Sequence, residues 1–385
     1  MRLSPLLLLL LAAGAEAADW PAFGFDLRRC GGDGSNLDAA SRVLWRYRAD
    51  IPDPFMSSPS VVDGRVYVGS DGGKLYCLKA TTGALLWEFN ARHVVFCSPV
   101  VADGRVYVGE GLHVDEDCRL YCLDAATGKE IWAFQTQGHT EGTPLLDKGR
   151  IYFSAGPDGY YCLDAVKGTR LWHHKGPHPD SAPVLADGRL IFGTGYDKHG
   201  VYALDAATGK QLWHHPTKSP CWGTPSVRGK RVYFGTGETR YGEKVESKPA
   251  VVVCLDTETG KPVWTLDTPS AVMSAAMCIG DTVYIAAATG KVFAVDADTG
   301  KPRWTRELKQ WVLASPVWAG NGLVITTQPG TVHLLDPSDG SIKKSWELCK
   351  GGDDFREGFV SSPALVGGRL YLGGLDGRVW CLGMP

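Results

Sequence analysis

Cysteine and histidine are the residue types in this sequence that could support a metal site or a redox centre. The 385-residue chain contains eleven cysteines and ten histidines. Five cysteines share one recurring position, where other copies of the same segment have Ala203, Ala294 or Leu334. A position that accepts cysteine, alanine and leucine requires a small buried apolar side chain, not a metal ligand. The five are Cys77, Cys122, Cys162, Cys254 and Cys381.

The other six cysteines fall outside this pattern and are candidates for disulfides in an oxidising compartment. The sequence does not determine which of them pair, because pairing depends on geometry. No C-x-x-C-H haem motif is present: three residues separate Cys118 from Cys122, and no histidine follows. The six are Cys30, Cys97, Cys118, Cys221, Cys278 and Cys349.

Two pairs of adjacent histidines, His173-His174 and His214-His215, each follow a tryptophan. Neighbouring side chains of a β-strand point to opposite faces, and no zinc-ligand spacing occurs. We therefore interpret these histidines as surface or edge packing residues and predict no metal site. The sequence also lacks a nucleophile elbow, an H-E-x-x-H motif and a phosphate loop, so it predicts no catalytic residue.

The first 17 residues are predicted to be a signal peptide. Arg2 precedes an apolar run over residues 6–13, and residues 15–17 form a small-x-small cleavage site. The run is too short to span a bilayer, and no cysteine follows where a lipid could be attached. This predicts cleavage near Ala17 and a soluble mature chain in the periplasm or outside the cell. A retained N-terminal anchor is the alternative.

A segment of about 40 residues recurs eight times. The first two copies span residues 57–89 and 97–134, and each contains four alternating runs separated by turn residues. In the first copy the predicted strands are 57–62, 65–70, 74–79 and 84–89. This pattern is typical of a four-stranded antiparallel propeller blade. The later copies begin at Gly142, Ser181, Gly223, Ser274, Ala314 and Ser361.

Two kinds of turn recur within the repeat. The first joins strands one and two and reads Asp63-Gly64 in the first copy, a pair that tolerates the positive φ angles of a tight hairpin. The second precedes the fourth strand and begins with Asp124 in the second copy, whose carboxylate can bond the turn backbone. We interpret these aspartates as turn formers. The first turn is repeated at Asp103-Gly104, Asp187-Gly188 and Asn321-Gly322.

A tryptophan marks the fourth strand of each complete copy, and a large ring at a fixed position suits docking between adjacent blades. The eighth copy stops after its third strand. Residues 42–47, which contain Trp45, supply the missing pattern. The sequence thus predicts an all-β, eight-bladed propeller over residues 42–385, closed by the N-terminal strand, after an extension over residues 18–41. The predicted docking tryptophans are Trp45, Trp87, Trp132, Trp172, Trp213, Trp264, Trp304 and Trp346.

The unit SP-x-V-x-DGR-V-Y-V-G…L-Y-C-L-D-A-x-T-G-K-x-x-W resembles the PQQ-type propeller repeat over about residues 42–385. That superfamily includes quinoprotein dehydrogenases and a propeller lipoprotein that assists outer-membrane barrel assembly. The first resemblance implies a quinone cofactor with a calcium ion, and the second implies a protein partner. This sequence lacks the adjacent cysteine pair of the dehydrogenases and the lipid-anchor cysteine of the assembly protein.

The connections between blades are the predicted binding surface, because variable loops on a rigid scaffold usually carry recognition. They vary in length and lie shortly before each first strand, so ring symmetry should gather them at the channel mouth. A competing site is the outer rim, at the insertion over residues 238–249. The predicted contacts at the mouth are Arg92, His139, Glu141, Trp222, Trp311 and Arg356.

The sequence favours a monomeric binding or scaffolding propeller whose partner is another protein or an envelope component. A PQQ-dependent oxidoreductase or PQQ-binding protein is the alternative, and the cofactor is left open. The formal net charge of −2 provides no general attraction to nucleic acid, and no transmembrane segment is predicted.

Overall fold

The computed structural model describes residues 19–26, 32–50, 53–113, 115–179, 181–196, 198–239, 247–349 and 357–385. These residues form eight separate four-stranded antiparallel sheets. Seven sheets follow the chain order of their strands, and the eighth pairs the N-terminal strand with three C-terminal strands. The structure confirms the predicted eight-bladed all-β propeller.

The strands are numbered in chain order, four to a blade. Blades 1 and 2 contain β2 (Ser60–Val62), β3 (Arg65–Gly69), β4 (Lys74–Lys79), β5 (Leu85–Asn90), β6 (Val100–Ala102), β7 (Arg105–Gly109), β8 (Arg119–Asp124) and β9 (Glu130–Gln135). Blades 3 and 4 contain β10 (Leu145–Asp147), β11 (Arg150–Ser154), β12 (Tyr160–Asp164), β13 (Arg170–His174), β14 (Val184–Ala186), β15 (Arg189–Thr194), β16 (Gly200–Asp205) and β17 (Gln211–Pro216). A 3-10 turn (Gly156–Asp158) lies between β11 and β12.

Blades 5 and 6 contain β18 (Ser226–Arg228), β19 (Arg231–Gly235), β20 (Ala250–Asp256), β21 (Pro262–Thr268), β22 (Met277–Ile279), β23 (Thr282–Ala286), β24 (Lys291–Asp296) and β25 (Pro302–Glu307). Blades 7 and 8 contain β26 (Val317–Ala319), β27 (Gly322–Thr326), β28 (Thr331–Leu335), β29 (Ile342–Glu347), β30 (Ala364–Val366), β31 (Arg369–Gly373), β32 (Arg378–Gly383) and β1 (Arg42–Arg48).

The first strand of each blade is short and faces the propeller axis, where first strands of neighbouring blades contact one another. Strand β2 begins at Ser60 instead of the predicted residue 57, because the preceding serines bond outside the sheet ladder. Ser57 Oγ accepts from the Gly69 amide (2.7 Å), and Ser58 Oγ accepts from the Ser362 amide of blade 8 (2.9 Å). The Ser58 amide donates to Ser98 Oγ of blade 2 (2.9 Å). Ser58 thus joins blade 1 to both of its neighbours around the axis, whereas Ser57 bonds within blade 1.

Ring closure is made by β1, which pairs antiparallel with β32. Trp45 lies opposite Cys381, the same pairing that joins Trp87 to Cys77 within blade 1. The N-terminal strand therefore occupies the outer position of blade 8, as predicted, and the eighth blade is completed by both ends of the chain.

The eight tryptophans each donate an indole N–H to a backbone carbonyl of the next blade. The donor–acceptor distances run from 2.8 Å, for Trp304 to Pro337, to 3.2 Å, for Trp132 to Ala165. On seven of the rings, all but that of Trp346, the glycine of the next blade's turn packs: Gly128, with φ +71°, lies against Trp87. Each of these hydrogen bonds ties two blades together. The other donors are Trp45, Trp87, Trp172, Trp213, Trp264 and Trp346.

Trp346 departs from the common register. In blade 7, Lys344 lies opposite Leu334, where the other fourth strands place their tryptophan, and Trp346 lies two residues further along β29. Its indole donates to Ser41 O (2.8 Å), immediately before β1. Blade 8 takes its fourth strand from the N-terminal segment, so no hairpin turn joins β32 to that strand, and the ring docks against Ser41 instead.

The predicted turn at Asn321-Gly322 is wrong by one residue. The turn lies at Gly320 and Asn321, Gly322 begins β27, and Asn321 has no positive φ. Blade 6 has its turn at the equivalent position, Gly280 and Asp281, so the spacing of the repeat sets the turn and not the Asn-Gly pair. Asn321 contacts the N-terminal extension: its Oδ1 accepts from the Leu37 amide (3.2 Å), and its Nδ2 donates to Leu37 O (2.9 Å). By contrast, Asp63 has φ +49°, as the Asp–Gly hairpin requires.

The described part of the extension lies across the end of the disc that carries these turns. Trp20 is 1% exposed and exchanges two backbone hydrogen bonds with Val61. Pro21 O accepts from the Val101 amide (2.8 Å). Further along, Ser35 O accepts from the Gly320 amide (2.9 Å). The extension thus contacts blades 1, 2 and 7 at the end away from the variable loops.

The cysteines outside the repeat position are buried or half-buried thiols where the structure shows them. Cys97 Sγ donates to Gly142 O (3.6 Å), and Cys118 Sγ donates to Glu116 O (3.6 Å). Cys221 and Cys349 form no disulfide. Cys30 lies outside the described residues. Burial raises the pKa of the Cys118 thiol to about 12, with a further contribution from Glu110, so this thiol stays protonated at neutral pH.

Two of the adjacent histidines stack on tyrosines within their own blades. His173 lies 3.9 Å from the ring of Tyr161, and His214 lies 4.0 Å from the ring of Tyr202. Within the described ranges, no group of three or more histidine, cysteine or acidic residues is placed to hold a metal ion. No helix in that part of the chain is long and apolar enough to cross a membrane.

Candidate functional site

A narrow channel runs along the propeller axis, with a volume of about 130 Å³. Every blade contributes to its wall, because the residues before each first strand converge on the axis. Phe23 from the N-terminal extension also lines it, although the extension crosses the opposite end of the disc. The other wall residues include Ser58, Ser98, Glu141, Ser181, Trp222, Leu313 and Val360.

The channel opens into a larger cavity of about 1060 Å³ on the face that carries the variable loops. This mouth cavity is asymmetric. It runs outward from the axis over blades 4 and 5, because the longest links between second and third strands lie there and in blade 2. Its volume is at the upper end of the range typical for ligand sites. The lining includes Met56, Phe96, Leu112, His113, Glu141, Tyr196, His199, Lys218, Trp222, Thr239, Lys248 and Met273.

Glu141 lies at the inner end of the mouth cavity between two imidazoles. Its side chain is 7% exposed, and it lines both the channel and the cavity. His139 Nε2 lies 3.7 Å from Glu141 Oε1, and His113 Nδ1 lies 3.7 Å from Glu141 Oε2. His139 in turn contacts His178, with 3.2 Å between their Nε2 atoms. The carboxylate is therefore held in an aromatic, largely buried setting.

Tyr196 connects this cluster to the aromatic wall of the cavity. Its hydroxyl lies 2.9 Å from His113 Nδ1, and its ring lies 4.7 Å from His178 and 5.9 Å from Trp222. Trp222 reaches this position because Gly195 has no side chain: a Cβ there would overlap the indole. Trp222 Nε1 is buried and has no hydrogen-bond acceptor among the described residues.

The structure brings together some of the predicted contacts and separates others. Glu141 and Trp222 line the mouth cavity, and His139, 1% exposed, lies directly behind Glu141. Arg92 is outside the lining: it is exposed after β5, and its backbone amide donates to Glu110 Oε2 (2.7 Å). Trp311 is also outside the lining, where it packs with Leu313, a residue of the channel wall. Arg356 lies outside the described residues.

Sequence reasoning missed His113, Tyr196, Lys218 and Lys248 as lining residues. His113 and Tyr196 are 83 positions apart and lie on links of different blades, so no local motif joins them. The length of the links is the signal that could have identified His113 and Tyr196, since both lie on long links between the second and third strands of their blades. The predicted rim insertion also lines the cavity through Thr239 and Lys248. Mouth and rim, which the sequence treats as rival sites, are one continuous cavity.

Chains of this architecture occur among known proteins. The sequence model of the family described as outer membrane protein assembly factor BamB matches residues 35–117, 109–247 and 248–383. The chain belongs to this family. A comparison with curated protein sequences found no match.

The solved structures similar to this BamB-family chain share its fold at low sequence identity. BamB from Moraxella catarrhalis is 20% identical with a TM-score of 0.70, covering 90% of this chain and 98% of that one. The quinohemoprotein alcohol dehydrogenase from Comamonas testosteroni is 17% identical with a TM-score of 0.73, and the match covers 95% of this chain and 80% of that one. The computationally designed protein Ika8 is 17% identical with a TM-score of 0.72, and the match covers 91% of this chain and 100% of that one. These similarities establish the fold only.

The mouth cavity does not fit a calcium–quinone centre. Calcium prefers six to eight oxygen ligands, usually with several carboxylates. Of the described carboxylates only Glu141 and Glu238 line this cavity, and Glu238 lies exposed on the rim. PQQ itself carries three carboxylates, which Glu141 would repel at the inner end. We therefore derive no reaction step through this group.

Proposed function

We propose that this chain is a non-catalytic binding propeller of the cell envelope that captures a protein partner in its mouth cavity. The observation that carries the proposal is the single cavity formed by the channel mouth and the rim insertion, walled by residues of blades 1 to 6. The description of the family as an assembly factor supports a protein as the partner.

The rigidity of the ring supports this role. Loops on a scaffold of eight docked blades hold their side chains in place before a partner arrives, which lowers the ordering cost of binding. The N-terminal extension lies across the far end of the disc, where Trp20 pairs with Val61. A partner therefore approaches the axis from the loop face.

We place the protein in the periplasm or outside the cell, after removal of the predicted leader over residues 1–17. The leader lies outside the described residues, so the proposal rests on its sequence pattern and on the family.

Site-specific photo-crosslinking tests the proposed function. Positions 112 and 239 both line the mouth cavity, on links of blades 2 and 5, and position 103 lies in a turn at the other end of the disc. A photoreactive amino acid is placed at each in turn. We expect positions 112 and 239 to give an adduct with the same protein in intact cells, and position 103 to give none. Adducts from position 103 alone would place the binding surface at the opposite end of the disc and contradict the proposed function.

A quinone-binding protein is the second candidate, favoured by the Trp222 ring and by Lys218 and Lys248 in the same cavity. The test is the absorption spectrum after incubation with PQQ and calcium, followed by a dye-linked alcohol or sugar oxidation assay. We expect neither stoichiometric uptake nor turnover. A one-to-one quinone spectrum that Trp222→Ala removes would establish the second candidate instead.

A further inference from the structure

We propose that the inner end of the mouth cavity binds the guanidinium or ammonium group of a basic side chain carried by the partner protein. This inference rests on the proposed function and deepens it, because it names the chemistry by which the partner is recognised.

The negative charge comes from Glu141. Its side chain is 7% exposed and lines the point where channel and cavity meet. A carboxylate in such a setting interacts strongly with a cation, because the surrounding protein screens charge less than water does. Partial burial also costs the carboxylate hydration, and a cation at close range offsets that cost.

Aromatic rings stand beside this carboxylate. Trp222 and Tyr196 lie 5.9 Å apart between ring centroids, and Phe96 lines the same cavity. The faces of such rings attract cations, and tryptophan does so most strongly. Met56 and Met273 add polarizable apolar surface that suits the methylene stem of a lysine or arginine side chain. Rings and a carboxylate in one place favour an organic cation over a metal ion.

The other charges of the cavity lie further from the axis and in solvent. Lys218, Lys248 and Glu238 are all exposed. Exposed charges are screened and contribute little to an ion pair, so they do not set the sign of the electrostatic potential at the inner end of the cavity. The largely buried Glu141 sets it, and the inner end therefore prefers a cation to an anion.

His113 lies beside the carboxylate on the side of the cavity. The Tyr196 hydroxyl, 2.9 Å away, holds the imidazole 3.7 Å from Glu141 Oε2. We infer that an entering cation takes the place that the imidazole occupies beside the carboxylate.

The test uses capped hexapeptides that differ at one residue, arginine or its neutral counterpart citrulline, titrated by calorimetry into the full protein. We expect the arginine peptide to bind at least about tenfold more tightly. Glu141→Gln should remove that preference, whereas the matched control Glu258→Gln, at an exposed carboxylate in a turn at the opposite end of the disc, should leave it unchanged. If Glu141→Gln fails to fold, Trp222→Leu serves as the second variant and should also reduce the preference.

Three results would overturn the inference. The first is equal binding of the two peptides. The second is tighter binding of an aspartate peptide that Lys218→Ala weakens. The third is binding of a single capped arginine residue as tightly as the hexapeptide, which would identify a small amine, not a protein side chain, as the ligand. If positions 112 and 239 still crosslink to a partner in any of these cases, the proposed function stands and only its chemistry is wrong.

Discussion

At the scale of single residues, the tryptophans of this chain divide by what their indole N–H contacts. Trp213 donates to Thr257 O of the next blade (3.1 Å), and Gly260 packs on its ring. Trp222 instead lines the mouth cavity, and its N–H has no acceptor in the described part of the chain. The same residue type therefore serves blade docking in one place and forms a binding wall in the other.

Trp213→Ala should be strongly destabilising. Removal of a large ring from an interface between blades typically costs on the order of 3–5 kcal/mol. Trp222→Ala, the matched control, should lower the free energy of unfolding much less. Urea titration of the two variants measures the difference, and an unchanged midpoint for Trp213→Ala would refute the docking role.

Asp71 gives a pH-dependent prediction. Burial, with a contribution from the charge of Asp53, raises the pKa of Asp71 from 3.8 to about 6. A raised pKa in the folded state means that protonated Asp71 favours folding below about pH 4 and that this contribution is lost as the pH rises through about 6.

Asp71→Asn should therefore raise the free energy of unfolding by about 1–2 kcal/mol at pH 7.5, a value reduced for partial exposure. At pH 4 the gain should be close to zero. Urea unfolding at both pH values measures it. A gain of equal size at both would show that the ionisation of Asp71 is not the cause.

At the scale of elements, β1 and the extension before it close the molecule. Strand β1 pairs with β32, and the extension bonds blades 1, 2 and 7 through Trp20, Pro21 and Ser35. The shifted position of Trp346 follows from this closure, since its indole bonds Ser41. Blade 8 depends on a segment more than 300 residues away in sequence.

Deletion of residues 19–48 should expose the edge of β32 and cause aggregation or a large fall in melting temperature. Size-exclusion chromatography and thermal unfolding measure both effects. A shorter deletion, residues 19–26, keeps β1 and should cause a smaller fall. A variant without residues 19–48 that stays monomeric and equally heat-stable would contradict closure by β1.

The blades could be predicted from the sequence because each repeat carries its own turn and strand signals. What could not be predicted depends on contacts between distant segments. Asn321 bonds Leu37 of the N-terminal extension, and Trp346 lies two residues beyond the common position because blade 8 takes its fourth strand from the N-terminal segment. For the same reason the sequence identified Glu141 and Trp222 but not His113, whose partner Tyr196 belongs to another blade.

At the scale of the whole molecule, the two ends of the propeller differ: one, the loop face, carries long loops, and the other, the plain end, carries only short turns. The plain end carries short turns and the N-terminal extension, and the loop face carries a cavity that runs from the axis to the rim insertion. The central claim is that a partner is captured in this continuous cavity.

The most direct measurement compares the affinity of the crosslinked partner, once purified, for three variants of matched melting temperature. Trp222→Ala changes the inner wall, deletion of residues 240–248 changes the rim, and Arg92→Ala changes an exposed residue outside the cavity. The account predicts at least about tenfold weaker binding for the first two and unchanged binding for Arg92→Ala. Normal binding by Trp222→Ala together with complete loss on deletion of residues 240–248 would contradict it, since the rim alone would then be the site.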